Sequence, residues 1–213
     1  MTVLVPGSGT LRSTGAPPAA GGWEEPVQRI EILRFLLEEA RNEFANALEG
    51  LQTEHLAATP VQGQNPIGWI VCHCMRNAQR FLLDPQGAPD LVAVLPHGAA
   101  YAAYVSRPPG EGNPPPDLTT AIADLDAILA AAIERIAALS EEELDRPGPR
   151  WSRPEPETTA ENCLRVVNHA NAHIREIWLL RWEQGAREHW PHQTLHKRPA
   201  AEGGGFFVPP RAQ

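Results

Sequence analysis

No run of apolar residues in this chain is long enough to cross a bilayer. The longest, Ala127 to Ile133, ends at Glu134, far short of the roughly 20 residues that a spanning helix needs. The N-terminus has no apolar signal core either, only Val3-Leu4-Val5 before Pro6 and Gly7, and a cytoplasmic location is the expectation. Cysteine is scarce. Cys72, Cys74 and Cys163 are too few, and odd in number, for a disulfide framework, which fits a reducing compartment. Positive charge is also short: 18 Lys plus Arg against 26 Asp plus Glu leave a formal net charge of -8. That balance repels phosphate backbones and excludes a general nucleic-acid binder. Strand-like alternation is missing, and so is any internal repeat. With 42% hydrophobic and 21% charged residues over 213 positions, the expectation is a globular chain with one core and flanking segments.

Proline, by contrast, is plentiful, at 22 residues. Because it removes a backbone donor and clashes inside a helix, the gaps between prolines mark where helices can run. Four proline-free windows result, over 27–59, 67–84, 117–146 and 157–190, and each reads as a helix. In the first, Ile30, Leu33, Leu37, Ala40, Phe44, Ala47 and Leu51 step by threes and fours, one apolar stripe on a helix that Gly50 would stop. The second carries Ile67, Ile70, Val71, Cys74, Ala78 and Phe81 behind Asn65 as cap and Pro66 at the first helical position. The third carries Leu118, Ile122, Leu125, Leu129, Ala132, Ile136 and Leu139, with Asp117 as its cap. The fourth opens with Thr158 and Glu161 in capping-box spacing, carries Leu164, Val167, Ile174, Ile177 and Leu180, and would end at Gly185.

Four amphipathic helices bury their stripes most simply as a bundle, so the expected fold is an all-α four-helix bundle. The Pro-rich stretch over 84–116 is long enough to cross it, and Ala99 to Val105 suggests a short helical turn on the way. The expected organisation is a Gly/Pro-rich arm over 1–26, the bundle over 27–185 and an extended tail over 186–213.

Of eight histidines, His169 and His173 stand out. A spacing of four places two imidazoles on one helix face, one turn apart. Alone, such a pair is as readily two satisfied or solvent-facing side chains. His73, on a face of the second helix with Trp69, Ile70, Asn77 and Arg80, offers a third ligand. Three protein ligands with a position left over describe a catalytic rather than a structural metal centre. Three neutral imidazoles leave the charge of a divalent ion uncompensated, so the remaining position favours an anion. Cys72 and Cys74 point about 200° apart on a helix and cannot both join His73 on one ion; with Cys163 they read as small core or interface residues. His189, His192 and His196 are interrupted by Pro191. Trp69, one turn before His73, either walls a substrate pocket or packs in the core. Trp178 and Trp182 lie on the fourth helix, and the loop around Trp151 can cover the site opening.

The run Asn65-Pro66-Ile67-Gly68-Trp69-Ile70-Val71-Cys72-His73, followed later by Val166-Val167-Asn168-His169-Ala170-Asn171-Ala172-His173, resembles the DinB/YfiT-like metalloenzyme superfamily. The resemblance covers roughly 27–184. It implies a four-helix bundle with a crossover connection between the second and third helices, holding a divalent metal through His73, His169 and His173. Many relatives continue the second ligand as His-His-Arg-Gly-Gln, whereas here Ala172 precedes His173 and Ile174-Arg175-Glu176 follows it. Glu176, near the ligand face, is the candidate catalytic residue: a base, an orienting carboxylate or a ligand, against the alternative of a solvated carboxylate paired with an arginine. Arg175 and Arg181 are expected to face water. Trp69 and Asn77 are the candidate cofactor-binding residues.

The implied activity is that of a metal-dependent S-transferase or isomerase that presents a low-molecular-weight thiol as thiolate, as some relatives do with mycothiol or bacillithiol. The alternatives are a hydrolase using metal-bound hydroxide and a non-catalytic, metal-binding stress protein. Zinc, nickel and iron all suit imidazole. The expected partners are a small-molecule substrate and a second copy of the chain in a homodimer, with neither nucleic acid nor membrane.

Overall fold

A computed structural model of the chain describes residues 28–58, 64–108, 114, 117–149 and 156–186. The expected N-terminal arm, the tail beyond Ala186, Trp151 and the histidines at 189, 192 and 196 lie outside these. The described residues contain no strand, only an isolated bridge between Pro147 and Thr158, and no helix among them is long and apolar enough to cross a membrane. The proline windows become the four main helices: α1 (Arg29–Leu48), α3 (Ile67–Ala78), α6 (Leu118–Ala137) and α7 (Thr159–Glu183). Three short ones are added, α2 (Thr53–Ala57), α4 (Leu91–Val94) and α5 (Gly98–Val105). The last is the turn expected from Ala99, begun one residue earlier.

Local chemistry sets most boundaries. The Asp117 carboxylate accepts from the Thr120 N–H, and the Thr158 hydroxyl accepts from the Glu161 N–H while Glu161 reaches back. Each arrangement satisfies amide donors that a helix start leaves unpaired. Gly50 and Gly185 adopt φ of 72° and 77°, the left-handed conformation that closes a helix with least strain when no Cβ is present.

Three local expectations are corrected. Asn65 does not cap α3, which starts at Ile67 with Pro66 at its cap; the Asn65 amide is engaged across the bundle with Glu176. The second window is not one regular helix, for α3 widens into a π-turn over Gln79–Leu83 and then a 3-10 turn over Asp84–Gln86. Pro85 supplies no N–H to continue the ladder, and the wider turn lets Phe81, Leu82 and Leu83 all be buried in succession. Leu164, placed on the core stripe of α7, is 43% exposed. The buried stripe runs through Cys163, Val166, Val167, Ala170, Ile174, Ile177 and Trp178, and Leu164 is one residue, about 100°, off it.

α1 packs against α6 and α7, and α3 packs against the same two from across the bundle. Side-chain bonds fix the directions. Arg29, at the start of α1, binds Glu141 and Asp145 just past the end of α6, so α1 and α6 are antiparallel. Arg181, near the end of α7, donates to the carbonyls of Ala47 and Glu49 at the end of α1, so α1 and α7 are parallel. Asn65, before α3, reaches Glu176 late in α7, and Gln86, beyond α3, meets Thr159 at the start of α7; these two helices are antiparallel. Arg135, late in α6, donates to the Gln86 carbonyl, which makes α3 and α6 parallel neighbours. Such neighbours cannot be joined by a tight turn. The chain must travel back along α6, 20 residues or roughly 30 Å, and the segment with α4 and α5 does so, α5 lying on α3.

Candidate metal centre

α7 is anchored by its capping box and runs unbroken for 25 residues, so the spacing of four brings the rings of His169 and His173 to one face with centroids 4.5 Å apart. Antiparallel α3 places His73 opposite them, its ring centroid 5.1 Å from that of His169 and 5.2 Å from that of His173. The three residues are part-buried, and one ligand atom of each lies within 4.8 Å of the others. Among the described residues they form the one group of three or more His, Cys, Asp or Glu that can hold a metal ion. The Nε2 atoms of His73 and His169 are 2.9 Å apart.

Three neighbours complete the surroundings. Trp69 stacks on His73, its ring 4.6 Å away and only 15° from parallel, which fixes the plane of that imidazole. The Asn77 amide nitrogen lies 2.9 Å from Nε2 of His73 and 2.9 Å from Nε2 of His169. Glu176 holds Nδ1 of His173 at 2.9 Å through one carboxylate oxygen and accepts from the Asn65 amide at 3.2 Å through the other. A carboxylate only accepts, so Nδ1 of His173 is the donor and the lone pair of that ring sits on Nε2, which is left for a ligand. The link from Asn65 to Glu176 had no trace in the sequence, because it joins residues 111 positions apart.

Burial, reinforced by the other imidazoles, lowers the pKa of His73 from 6.5 to about 4; burial and His173 do the same for His169. Both rings are therefore neutral at ordinary pH, the form in which imidazole ligates. The family model of the DinB superfamily matches residues 36–177, a span that includes all three histidines. The chain belongs to the DinB superfamily. No curated protein matches it.

In this DinB-superfamily chain the donor set fits a divalent ion. Two ring nitrogens 2.9 Å apart fall within the roughly 4 Å that two metal–nitrogen bonds can span. The thiols play no part in such a set. Cys72, Cys74 and Cys163 are buried and free; burial pushes the first and last up to about 12 and Cys74 above the ordinary thiol range. All three are protonated in the metal-free protein, and none of them stands in the group of His73, His169 and His173.

Of the flanking arginines, Arg175 faces water as expected and Arg181 does not. It is only 2% exposed and serves the carbonyls at the end of α1, because a helix terminus buried against α7 needs donors that water cannot supply. Trp178 is buried against the core, with the Arg181 guanidinium 5.2 Å from its ring, while Trp182 is exposed.

Proposed function

We propose that this protein is a divalent-metal enzyme of the DinB type, transferring or isomerising a substrate by way of a low-molecular-weight thiol, with His73, His169 and His173 holding the ion. The observation that carries the reading is the convergence of three imidazoles from α3 and α7. Held by three neutral ligands, a divalent ion would supply an uncompensated positive charge that favours the thiolate form of a small thiol at the site. The chain's own residues do the positioning. Trp69 fixes one ring by stacking, and Glu176, braced by Asn65, holds His173 in the tautomer that ligates. The Trp69 indole N–H is buried with no acceptor among the described residues.

The hydrolase reading is weaker for a specific reason. Hydrolysis calls for a protein base beside the attacking water, and both carboxylate oxygens of Glu176 are already engaged, one by His173 and one by Asn65. Glu176 thus reads as a positioning residue. We place the protein in the reducing cytoplasm, in keeping with its three free, buried cysteines. We further propose a homodimer, in keeping with Ile32 and Phe35, 47% and 59% exposed one turn apart on α1.

The test is elemental analysis of the purified protein, followed by turnover assays that pair bacterial thiols with electrophilic or isomerisable substrates. The expected result is stoichiometric metal, thiol-dependent turnover, and loss of turnover with retained fold in His173→Ala. Turnover that is independent of thiol would favour hydrolysis. Metal that raises the melting temperature with no turnover in any assay would favour the non-catalytic stress protein.

A further inference from the structure

Asn77 follows His73 by four residues on α3 and therefore shares its face. Its amide nitrogen and the Nε2 atoms of His73 and His169 form a triangle with all three sides 2.9 Å. No placement of protons satisfies all three sides. If the amide donates to both rings, two imidazole lone pairs face each other at hydrogen-bond distance. If one ring donates to the other, the donating ring's N–H instead abuts the amide N–H. Such a triangle of polar atoms is frustrated among protein groups alone and relaxed by a cation, provided each corner offers a lone pair. Each ring does so in the tautomer that carries its proton on Nδ1. Asn77 does so once its carboxamide turns over about the Cβ–Cγ bond, which exchanges Nδ2 for Oδ1 at almost the same place.

Resting on the metal reading above, we propose that Asn77 is a fourth protein ligand, giving Oδ1 to the ion beside His73, His169 and His173. The size of the triangle also selects a coordination class. Donors bound at roughly 2.0–2.1 Å stand about 2.9 Å apart at right angles and about 3.4 Å apart at tetrahedral angles. The observed 2.9 Å sides match one triangular face of an octahedron. Three imidazoles and one carbonyl oxygen make a mixed N3O set, suited to a six-coordinate ion such as nickel or ferrous iron more than to tetrahedral zinc. Two positions are then left for thiol and substrate together.

The experiment loads the full-length protein with cobalt(II) and with nickel(II). It measures affinity by chelator competition for wild type, Asn77→Ala and Asn77→Asp, records the cobalt absorption spectrum of each, and follows the fold by circular dichroism. The expected results are a weak, six-coordinate cobalt spectrum in wild type, at least a ten-fold loss of affinity in Asn77→Ala, and affinity kept or raised in Asn77→Asp, which retains an oxygen donor and adds charge. Three results would each overturn the proposal: an intense tetrahedral cobalt spectrum in wild type, Asn77→Ala binding within about three-fold of wild type with an unchanged spectrum, or Asn77→Asp binding as weakly as the alanine variant. Each of these leaves the tri-histidine reading standing. Failure of the wild type to take up either ion would remove both.

Discussion

Glu176 is held on two sides, by His173 and by Asn65, and the His173 and Glu176 side chains are 12% and 23% exposed. Shielding of that degree makes the bond between them consequential, since water competes poorly for either partner. Glu176→Ala should lower metal affinity about 10–100-fold, while Glu176→Gln, whose amide oxygen still accepts from Nδ1, should lose less; isothermal titration with a divalent ion checks both. The two lowered imidazoles have a separate consequence. Folded, metal-free protein keeps His73 and His169 neutral down to about 4, whereas the unfolded chain protonates them near 6.5. Between those values the unfolded state binds more protons, so the stability of the metal-free protein is complete above about 6.5 and declines as pH falls through that window. Urea melts of chelator-treated protein on either side of the window measure this, and a midpoint that did not move would contradict it. The His169 and His173 pair was legible in the sequence, because spacing of four on a helix is a local property; that His73 meets it depends on packing across 96 residues. Their partners Asn65 and Glu176 were not joined there, because a bond across 111 residues depends on how two helices face each other.

The crossover depends on one close approach at the scale of elements. A Cβ added to Gly98, at the start of α5, would stand 1.7 Å from the carbonyl oxygen of Val92 in α4, so the backbone itself would have to move. Gly98→Ala should therefore destabilise the protein by about 1–3 kcal/mol, read as a fall in melting temperature with metal affinity close to wild type. The same stretch is tied to the π-turn by Gln79, which is 4% exposed and bonds Asp84, the Pro89 carbonyl and the Leu91 N–H. Gln79→Leu would strand those groups and should cost on the order of 1–3 kcal/mol, measurable by denaturant unfolding. Proline placement and apolar period marked the helices because both act within a few residues. They passed over the π-turn, whose widened ring is favoured by burial of Phe81, Leu82 and Leu83 and so by the rest of the core.

At the scale of the whole molecule, the site joins α3 to α7, which pack along one edge of the bundle. An ion bound there would hold together two helices distant in sequence and would stabilise the folded state over the unfolded. At a hundred-fold excess of free metal over its Kd the gain should be about 2.7 kcal/mol. The melting temperature should rise with added metal, fall with chelator and respond to neither in His173→Ala; a wild type indifferent to metal would refute the joint.

By itself the sequence determined an all-α chain, most of the stripe each main helix buries, most of the caps and the paired imidazoles of α7, because these follow from backbone chemistry and helical period within a few turns. Only the tertiary structure decided that α3 and α6 run parallel, that Arg181 turns inward to the end of α1, and that Asn77 meets both imidazoles. Those outcomes depend on which faces of separate helices meet, and packing sets that over distances local preferences do not reach.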